Sequence, residues 1–370
     1  MVDLDAQRDT PRGSFLHESR SVQFSSPLFA ALARGCAEDK EILDLCAATR
    51  RGQPIAIFML VCAQYLLFRA PHEKLVAYFP SMTDTPRPVE EAFPVFREFC
   101  LERRSELKHL LSTRTLNANL VERTSIILPA LAHIHSLTKE PLTLVEICCS
   151  AGLNLLFDEY HYDYGAAGRL GNDRSAVKLA CKIIGNFGPP IEVIPPVVER
   201  VGVDLVTVDC SDPDERLWMD AQISPEWREE RERVRKALTL RAARPGRMIS
   251  GDALAVLPAL LEEFRGPTVI LHSYCMGQWF AAAQDGLDKV LRYASRRCDI
   301  HRIGLEVPGT EPAEAVRARL AALSKANISI RQKCLPSRIE YTRYAKGSTE
   351  SALLGYADGF GAWLDWRAAA

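Results

Sequence analysis

The stretch richest in chemistry runs Glu146-Ile147-Cys148-Cys149-Ser150-Ala151-Gly152. It follows Leu142-Thr143-Leu144-Val145, a short apolar run between turn signals that reads as a strand buried on both faces. Such a strand ending in a small-residue turn, with a helix expected over Leu153 to Tyr160, brings backbone N–H groups and a helix N-terminus to the carboxyl edge of a sheet. That geometry suits a polar or anionic ligand group. A nucleotide-binding turn reads acidic-x-G-x-G-x-G, and here only the last glycine, Gly152, is present.

Two later acids would complete an adenosyl site. Asp204, in Gly202-Val203-Asp204, stands where a carboxylate can hold both ribose hydroxyls; its plain alternative is a surface turn. Asp252, in Ser250-Gly251-Asp252-Ala253-Leu254, can face an adenine amino group or simply cap the helix that starts at Ala253. His272 closes a strand and is the best candidate for a base or an acceptor-orienting residue, against a purely structural hydrogen-bonded role. Asn119 and Arg123 lie one helical turn apart and can face the same sheet edge. Arg123 would clamp an anionic substrate or tie the helical unit to the core by an ion pair. Tyr160, Tyr162 and Tyr164 alternate as on a strand, to wall a pocket or to pack a core.

Cys148-Cys149-Ser150-Ala151-Gly152 is also one substitution from G-x-S-x-G, the serine-hydrolase elbow, with Ser150 as nucleophile and His272 or His301 as base. Cys148 is an obstacle in so tight a turn, and His301 sits near the start of its strand. His133-x-His135 does not read as a metal site, because two side chains about 200° apart on a helix cannot share one ion. No metal is expected.

These residues need elements to position them. Residues 1–20 read as a mobile tail, and 21–137 as an all-helical unit. Ser26-Pro27 opens one helix, Glu41 to Ala48 continues helical, and Gln53-Pro54 opens a buried helix over Ile55–Phe68. Two more helices are expected over about Val89–Ser112 and Asn117–Leu137. From 138 to 370 the period changes. Strands are expected over 203–208, 247–250, 268–273, 299–307, 339–344 and 351–356, the last two as an antiparallel hairpin. Helices over 225–240, 253–264 and 281–295 separate several of them, which predicts an α/β fold with a mostly parallel sheet flanked by helices. The helix from Glu226 to Arg244, dense in charge of both signs, reads as a solvated face.

Composition bounds the function classes. The 370 residues carry 46 Lys+Arg and 47 Asp+Glu, a net charge of −1 that gives no field to hold a phosphate backbone. With 47% apolar and 25% charged residues, global disorder and a collagen-like chain are excluded. The 11 cysteines include no C-x-x-C and are odd in number, which reads as core thiols in a reducing compartment. The polar start has no secretory h-region, and the 14-residue run Ile55–Phe68 is too short to span a bilayer, so a cytoplasmic protein is expected. The expected partner is a small-molecule substrate, with neither nucleic acid nor membrane.

At these residues the chain resembles a bacterial family catalogued as domain of unknown function 2332, whose members look like S-adenosylmethionine-dependent methyltransferases in fold. The resemblance runs from Ser26-Pro27-Leu28-Phe29-Ala30-Ala31-Leu32 to Trp363-Leu364-Asp365-Trp366. The family pattern E-x-G-x-S-A-G-L-N-L-L-x-D-x-Y corresponds to Glu146 through Tyr160. Its D-x-x-D-P-x-x-R-x-W matches Asp209 to Trp218, its G-D-A matches Gly251-Asp252-Ala253, and its F-H-S matches Leu271-His272-Ser273. This sequence departs at Cys148 for glycine, at Leu120 for glutamate in N-E-x-x-R, and at Phe360 for histidine in H-G. The resemblance implies a Rossmann-like sheet holding S-adenosylmethionine, with its methionine end over Ser150, Gly152 and Asn154. The expected function is methyl transfer from that cofactor to a small molecule. The alternatives are a degenerate fold binding an adenosyl ligand or partner without catalysis, and the hydrolase.

Overall fold

The computed structural model describes residues 10–185, 187–307, 321, 323–324 and 337–368. The chain forms two compact units, one built from residues up to 118 with 212–232, the other chiefly from 119–211 and from 233 onward.

The first unit is helical: α1 (Pro11–Ser21), α2 (Pro27–Glu38), α3 (Lys40–Cys46), α4 (Ile55–Phe68), α5 (Ala92–Glu102) and α6 (Arg104–Thr113). The tail expectation is corrected from Pro11 onward. Thr10 caps α1 by accepting from the Gly13 amide, and Phe15 is fully buried. The single helix expected over 89–112 breaks at Arg103 (φ −104°, ψ 26°), whose guanidinium lies 4.2 Å over the Phe99 ring and pairs with Glu73. After α7 (Thr124–Thr138), which belongs to the second unit, α8 (Pro213–Ala221) returns to the first. α4 is apolar on nearly every side. Its one buried amide, Gln64, donates to the carbonyls of Ala221 (2.7 Å) and Ile223 (2.8 Å), so its own N–H bonds are satisfied while its Oε1 has no partner.

The second unit carries the sheet. Its strands are β1 (Leu142–Ile147), β2 (His161–Asp163), β3 (Arg169–Gly171), β4 (Lys178–Ala180), β5 (Lys182–Ile184), β6 (Val197–Asp204), β7 (Arg247–Ser250), β8 (Thr268–Ser273), β9 (Ile300–Glu306), β10 (Ser337–Ala345), β11 (Ser348–Ala357) and β12 (Trp363–Trp366). Nine of them form one sheet in the order β5-β12-β11-β10-β9-β8-β1-β6-β7, and β3-β2-β4 form a small second sheet. From β7 through β9 every neighbour is parallel, and α9 (Arg228–Ala243), α10 (Ala253–Leu260) and α11 (Ala281–Ala294) lie between these strands in the chain. The hairpin expectation holds: β10 and β11 are antiparallel, joined by Lys346 (φ 51°) and Gly347 (φ 82°), the backbone of a tight primed turn. β1 is buried along its whole length. The chain winds from it toward β6 and β7 on one side, and returns on the other through β8 and β9. β1 is therefore the switch point, where doubly wound sheets open a crevice at their carboxyl edge.

Three expectations in this unit are corrected. No α-helix follows β1; Asn154–Glu159 is a 3-10 segment with a non-helical Leu156. Leu155, Leu156 and Phe157 are all buried, so three successive apolar side chains need cover in three directions, which one helical face cannot give. β6 runs Val197–Asp204 rather than 203–208, starting straight after Pro195-Pro196. The helix expected over 117–137 begins only at Thr124, after a 3-10 turn over Val121–Arg123.

Candidate functional site

The turn after β1 alternates left-handed residues: Cys148 (φ 56°), Ser150 (φ 53°) and Gly152 (φ 65°). Only the last is a glycine. Each of the others stores strain of about 1–2 kcal/mol. The turn also consumes its own donors. The Cys149 amide donates to Val203 O (3.3 Å), that of Ser150 to Asp204 Oδ2 (2.7 Å), and that of Gly152 to Cys149 O (2.7 Å). The expected cradle of free N–H groups is therefore largely spent on the fold, and no helix dipole supplements it. From the other side Asn119 Nδ2 donates to Cys149 O (3.0 Å), so Asn119 holds the turn in place.

Side chains are left to meet a ligand. Glu146, at the end of β1, is 1% exposed and accepts from Asn154 Nδ2 (2.7 Å). Its Oε2 and the Asn154 Oδ1 are sealed from solvent with no hydrogen-bond partner, as is Asn119 Oδ1. Burial pushes the Glu146 carboxyl up to about 8, against the pull of Asn154 and of the Arg123 field. Buried polar groups are rarely left unmatched, so three orphaned acceptors around one turn mark a place built to receive a donor.

Asp204 and Asp252 stand at the carboxyl ends of β6 and β7, where the sequence placed them. Asp204 accepts from the amides of Ser150 and Val206 (3.3 Å), and burial raises its pKa. Asp252 is exposed and accepts from Leu254 N (2.8 Å), which is the helix-capping role; Ala253 is the buried first residue of α10.

His272 is brought to the end of β8 as expected, in the hydrogen-bonded structural role that stood as the alternative to a base. Nδ1 lies 2.8 Å from Glu306 Oε1, and Nε2 lies 2.9 Å from Arg302 Nε. A guanidinium only donates, so Nε2 is the acceptor and Nδ1 carries the proton. Both nitrogens are engaged, and burial holds the pKa below the usual histidine value. As a base, His272 has no lone pair open to a substrate. Glu306 also accepts from the amides of Cys275 and Met276 (both 3.2 Å), so the network fixes the turn after β8. His272, Cys275 and Glu306 offer ligand atoms within 4.8 Å of one another. The Arg302 bond leaves Nδ1 protonated and sets a cation beside the cluster, and both features oppose a metal ion.

The residues that the sequence missed are Arg302 and Glu306. Their signal is the period of two on β9: Arg302, Gly304 and Glu306 share one face, and a Cβ on Gly304 would lie 2.7 Å from His272 Cε1. The hydrolase triad is not assembled. His272 is spent as above, and His301 bonds Tyr341 Oη through Nδ1 (2.9 Å) while its Nε2 has no partner. Tyr160, Tyr162 and Tyr164 are fully buried, and their hydroxyls donate to backbone carbonyls of Leu153, Phe157 and Ser125, so they pack rather than wall a pocket. His133 stacks edge-on with Tyr341 and Trp366, whereas His135 meets Glu140 O.

Arg123 Nη1 lies 3.3 Å from Ser273 Oγ, and its guanidinium is 4.5 Å over the Tyr274 ring. The anticipated ion pair is absent among the described residues: the neighbouring Glu122 pairs with Arg233 (2.6 Å). Two positions at which the sequence departs from the family pattern adjoin this turn. Leu120 precedes it, and Gly361, next to Phe360, packs so close that a Cβ there would lie 2.3 Å from Glu122 O.

The strain at Cys148 is testable. Cys148→Gly is expected to stay within about 1 kcal/mol of wild type, strain relief offsetting lost packing and added chain entropy. Cys148→Val, β-branched at a left-handed position, is expected to lose about 2 kcal/mol or more. Thermal denaturation checks the order, and a valine variant as stable as the glycine one would refute the strain.

Fold and site together define a mixed α/β protein with a large, mostly parallel central sheet flanked by helices, carrying a polar cluster at its switch point. The family model for domain of unknown function 2332, described as an uncharacterized protein conserved in bacteria, matches residues 12–366, and the chain belongs to that family. No curated protein matches it. Among the described residues no helix is long and apolar enough to cross a membrane.

Proposed function

We propose that this protein binds S-adenosylmethionine at the switch point and transfers its methyl group to a small molecule. The observation that carries this reading is Glu146, a buried carboxyl with one oxygen orphaned beside the orphaned Asn154 Oδ1. Two sealed acceptors at the end of the central strand call for a compact donor with several N–H bonds, which the ammonium of a methionine end supplies. The strand order supports it: counted along the chain within the parallel part, β7-β6-β1-β8-β9 is the 3-2-1-4-5 order of dinucleotide-binding folds. Asp204 and Asp252 lie on the β6 and β7 side, where ribose and adenine would extend, with Ser150, Gly152 and Ala253 forming backbone around them.

The cofactor brings an activated methyl on a sulfonium, so the protein's task is alignment and exclusion of water. Asn119 and Asp204 do this indirectly, by holding the 148–152 turn from its two sides. No resident base is required unless the acceptor must lose a proton. A second reading, an adenosyl-binding protein without catalysis, is favoured by the two engaged nitrogens of His272.

Titration of S-adenosylhomocysteine by calorimetry tests the shared site. Binding in the micromolar range is expected, weakened by Asp252→Ala and by Glu146→Gln. Wild type showing no heat up to millimolar ligand would sink both readings and leave a resemblance of fold alone. Transfer of label from methyl-labelled cofactor to a metabolite extract then separates enzyme from binder.

A further inference from the structure

We infer that Arg123 is the docking point for a carboxylate carried by the methyl acceptor; this deepens the methyl-transfer reading and rests on it for the identity of the second ligand. Arg123 offers five N–H donors and uses one, in a long bond to Ser273 Oγ (3.3 Å). Its Nε is sealed from solvent with no partner, and no carboxylate pairs with it among the described residues. Arg123 is half-buried, and burial holds its pKa below the usual arginine value, so leaving this guanidinium without a carboxylate is costly. The neighbouring acids have other work. Glu122 pairs with Arg233, Glu306 serves His272 and two backbone amides, and Glu146 is bonded to Asn154 and mostly protonated at neutral pH.

Position separates this group from the adenosyl contacts. Asp204 and Asp252 end β6 and β7 on one side of β1, while Arg123 rests on Ser273 and Tyr274 at the end of β8, on the other side. Tyr274 is held in the left-handed region (φ 56°), its hydroxyl tied to Ser337 Oγ and its amide donating to Leu305 O (2.9 Å), which keeps the ring under the guanidinium. Backbone strain of this kind persists where surroundings over-determine it, as at binding sites. Charge chooses the anion. One guanidinium neutralises one carboxylate, whereas a phosphate dianion leaves a net negative charge uncompensated. The planar fork also matches a carboxylate edge-on.

The test uses the full chain, wild type and with Arg123→Gln and Arg123→Lys, each first checked for cooperative unfolding. Formate, acetate and benzoate are titrated by thermal shift with S-adenosylhomocysteine saturating and again without it, and benzamide serves as the neutral control. At least one carboxylate is expected to raise Tm saturably in wild type, with apparent affinity weakened about tenfold or more in Arg123→Gln and partly restored in Arg123→Lys. Benzamide is expected to do nothing, and S-adenosylhomocysteine affinity to stay within about threefold across the variants. No carboxylate response in wild type, or equal responses from benzoate and benzamide, overturns the inference. Loss of S-adenosylhomocysteine affinity in Arg123→Gln with the benzoate response intact also overturns it, assigning Arg123 to the cofactor's own carboxylate. If S-adenosylhomocysteine never binds, the adenosyl reading fails, and the carboxylate series without it still decides the role of Arg123.

Discussion

The ligand-free protein is expected to lose stability as pH rises from about 4.5 to about 8, and Glu146→Gln is expected to remove the larger part of that loss. Glu146 titrates near 4.5 in the unfolded chain and is pushed up to about 8 in the fold. Between those values the folded state holds a proton that the unfolded state has released. The stabilisation is thus fully present below 4.5 and is lost as pH climbs through 8. At about 1.4 kcal/mol per pH unit the loss is about 5 kcal/mol, an upper figure because the fold can relax around the charge. Glu18 on α1, raised to about 7 by burial, slopes the same way, so the difference between wild type and Glu146→Gln isolates one site. Chemical denaturation at pH 5, 6.5 and 8.5 is the measurement. Parallel profiles for the two proteins would mean that Glu146 is ionised and solvated in the fold.

The same proton gives the ligand site a signature independent of affinity. An ammonium seated on Glu146 favours the carboxylate, so binding S-adenosylhomocysteine at pH 7 is expected to release up to about one proton. Calorimetry in buffers of different ionisation heat counts it. The proton should vanish in Glu146→Gln even where some binding survives.

Much of the frame was legible because burial on both faces leaves no choice of residue. Leu142–Ile147, Thr268–Ser273 and Ile55–Phe68 are mostly apolar runs with few polar interruptions, and each is the element its length suggests. Elements that depend on one contact were not legible. The charged α1 is fastened by Phe15 and a Thr10 cap, and β12 is four residues long and recognisable only beside β11. The site divides the same way. Glu146, Asn154 and Asn119 meet at the turn after β1, whereas Arg123, expected one helical turn from Asn119, sits in a 3-10 turn and rests on Ser273 at the end of β8; the freedom of the β1 turn was misjudged. Its amides look available in sequence and are consumed by Val203, Asp204 and Cys149, partners that only the sheet brings near. His272 shows the same limit: a histidine at a strand end leaves base and structural roles open until Arg302 and Glu306, thirty and thirty-four residues later, close over both nitrogens.

Acid should destabilise the protein through a different residue, His301. It lies on β9, 1% exposed, hydrogen-bonded to Tyr341 Oη and stacked on that ring at 5.9 Å, with Nε2 sealed and unpartnered. Burial, with smaller contributions from Arg343 and His133 against Asp299, pushes its pKa from 6.5 down to about 4. Between these values the unfolded chain binds a proton that the fold refuses. Stability is therefore full above 6.5 and falls as pH drops toward 4, by about 3 kcal/mol. His133, across the Tyr341 ring at 5.7 Å, is lowered by burial too and adds in the same direction. His301→Phe keeps the stack, removes the titration and strands the Tyr341 hydroxyl, so it should cost about 1 kcal/mol at pH 7.5. By pH 4.5 the order should reverse, with the phenylalanine variant the more stable, because the proton wild type must take up in unfolding outweighs one hydrogen bond. Glu146 slopes the other way over part of this range, but it is common to both proteins and drops out of their difference. A wild type that keeps its advantage over His301→Phe down to pH 4.5 would show that the β9 histidine accepts its proton inside the fold.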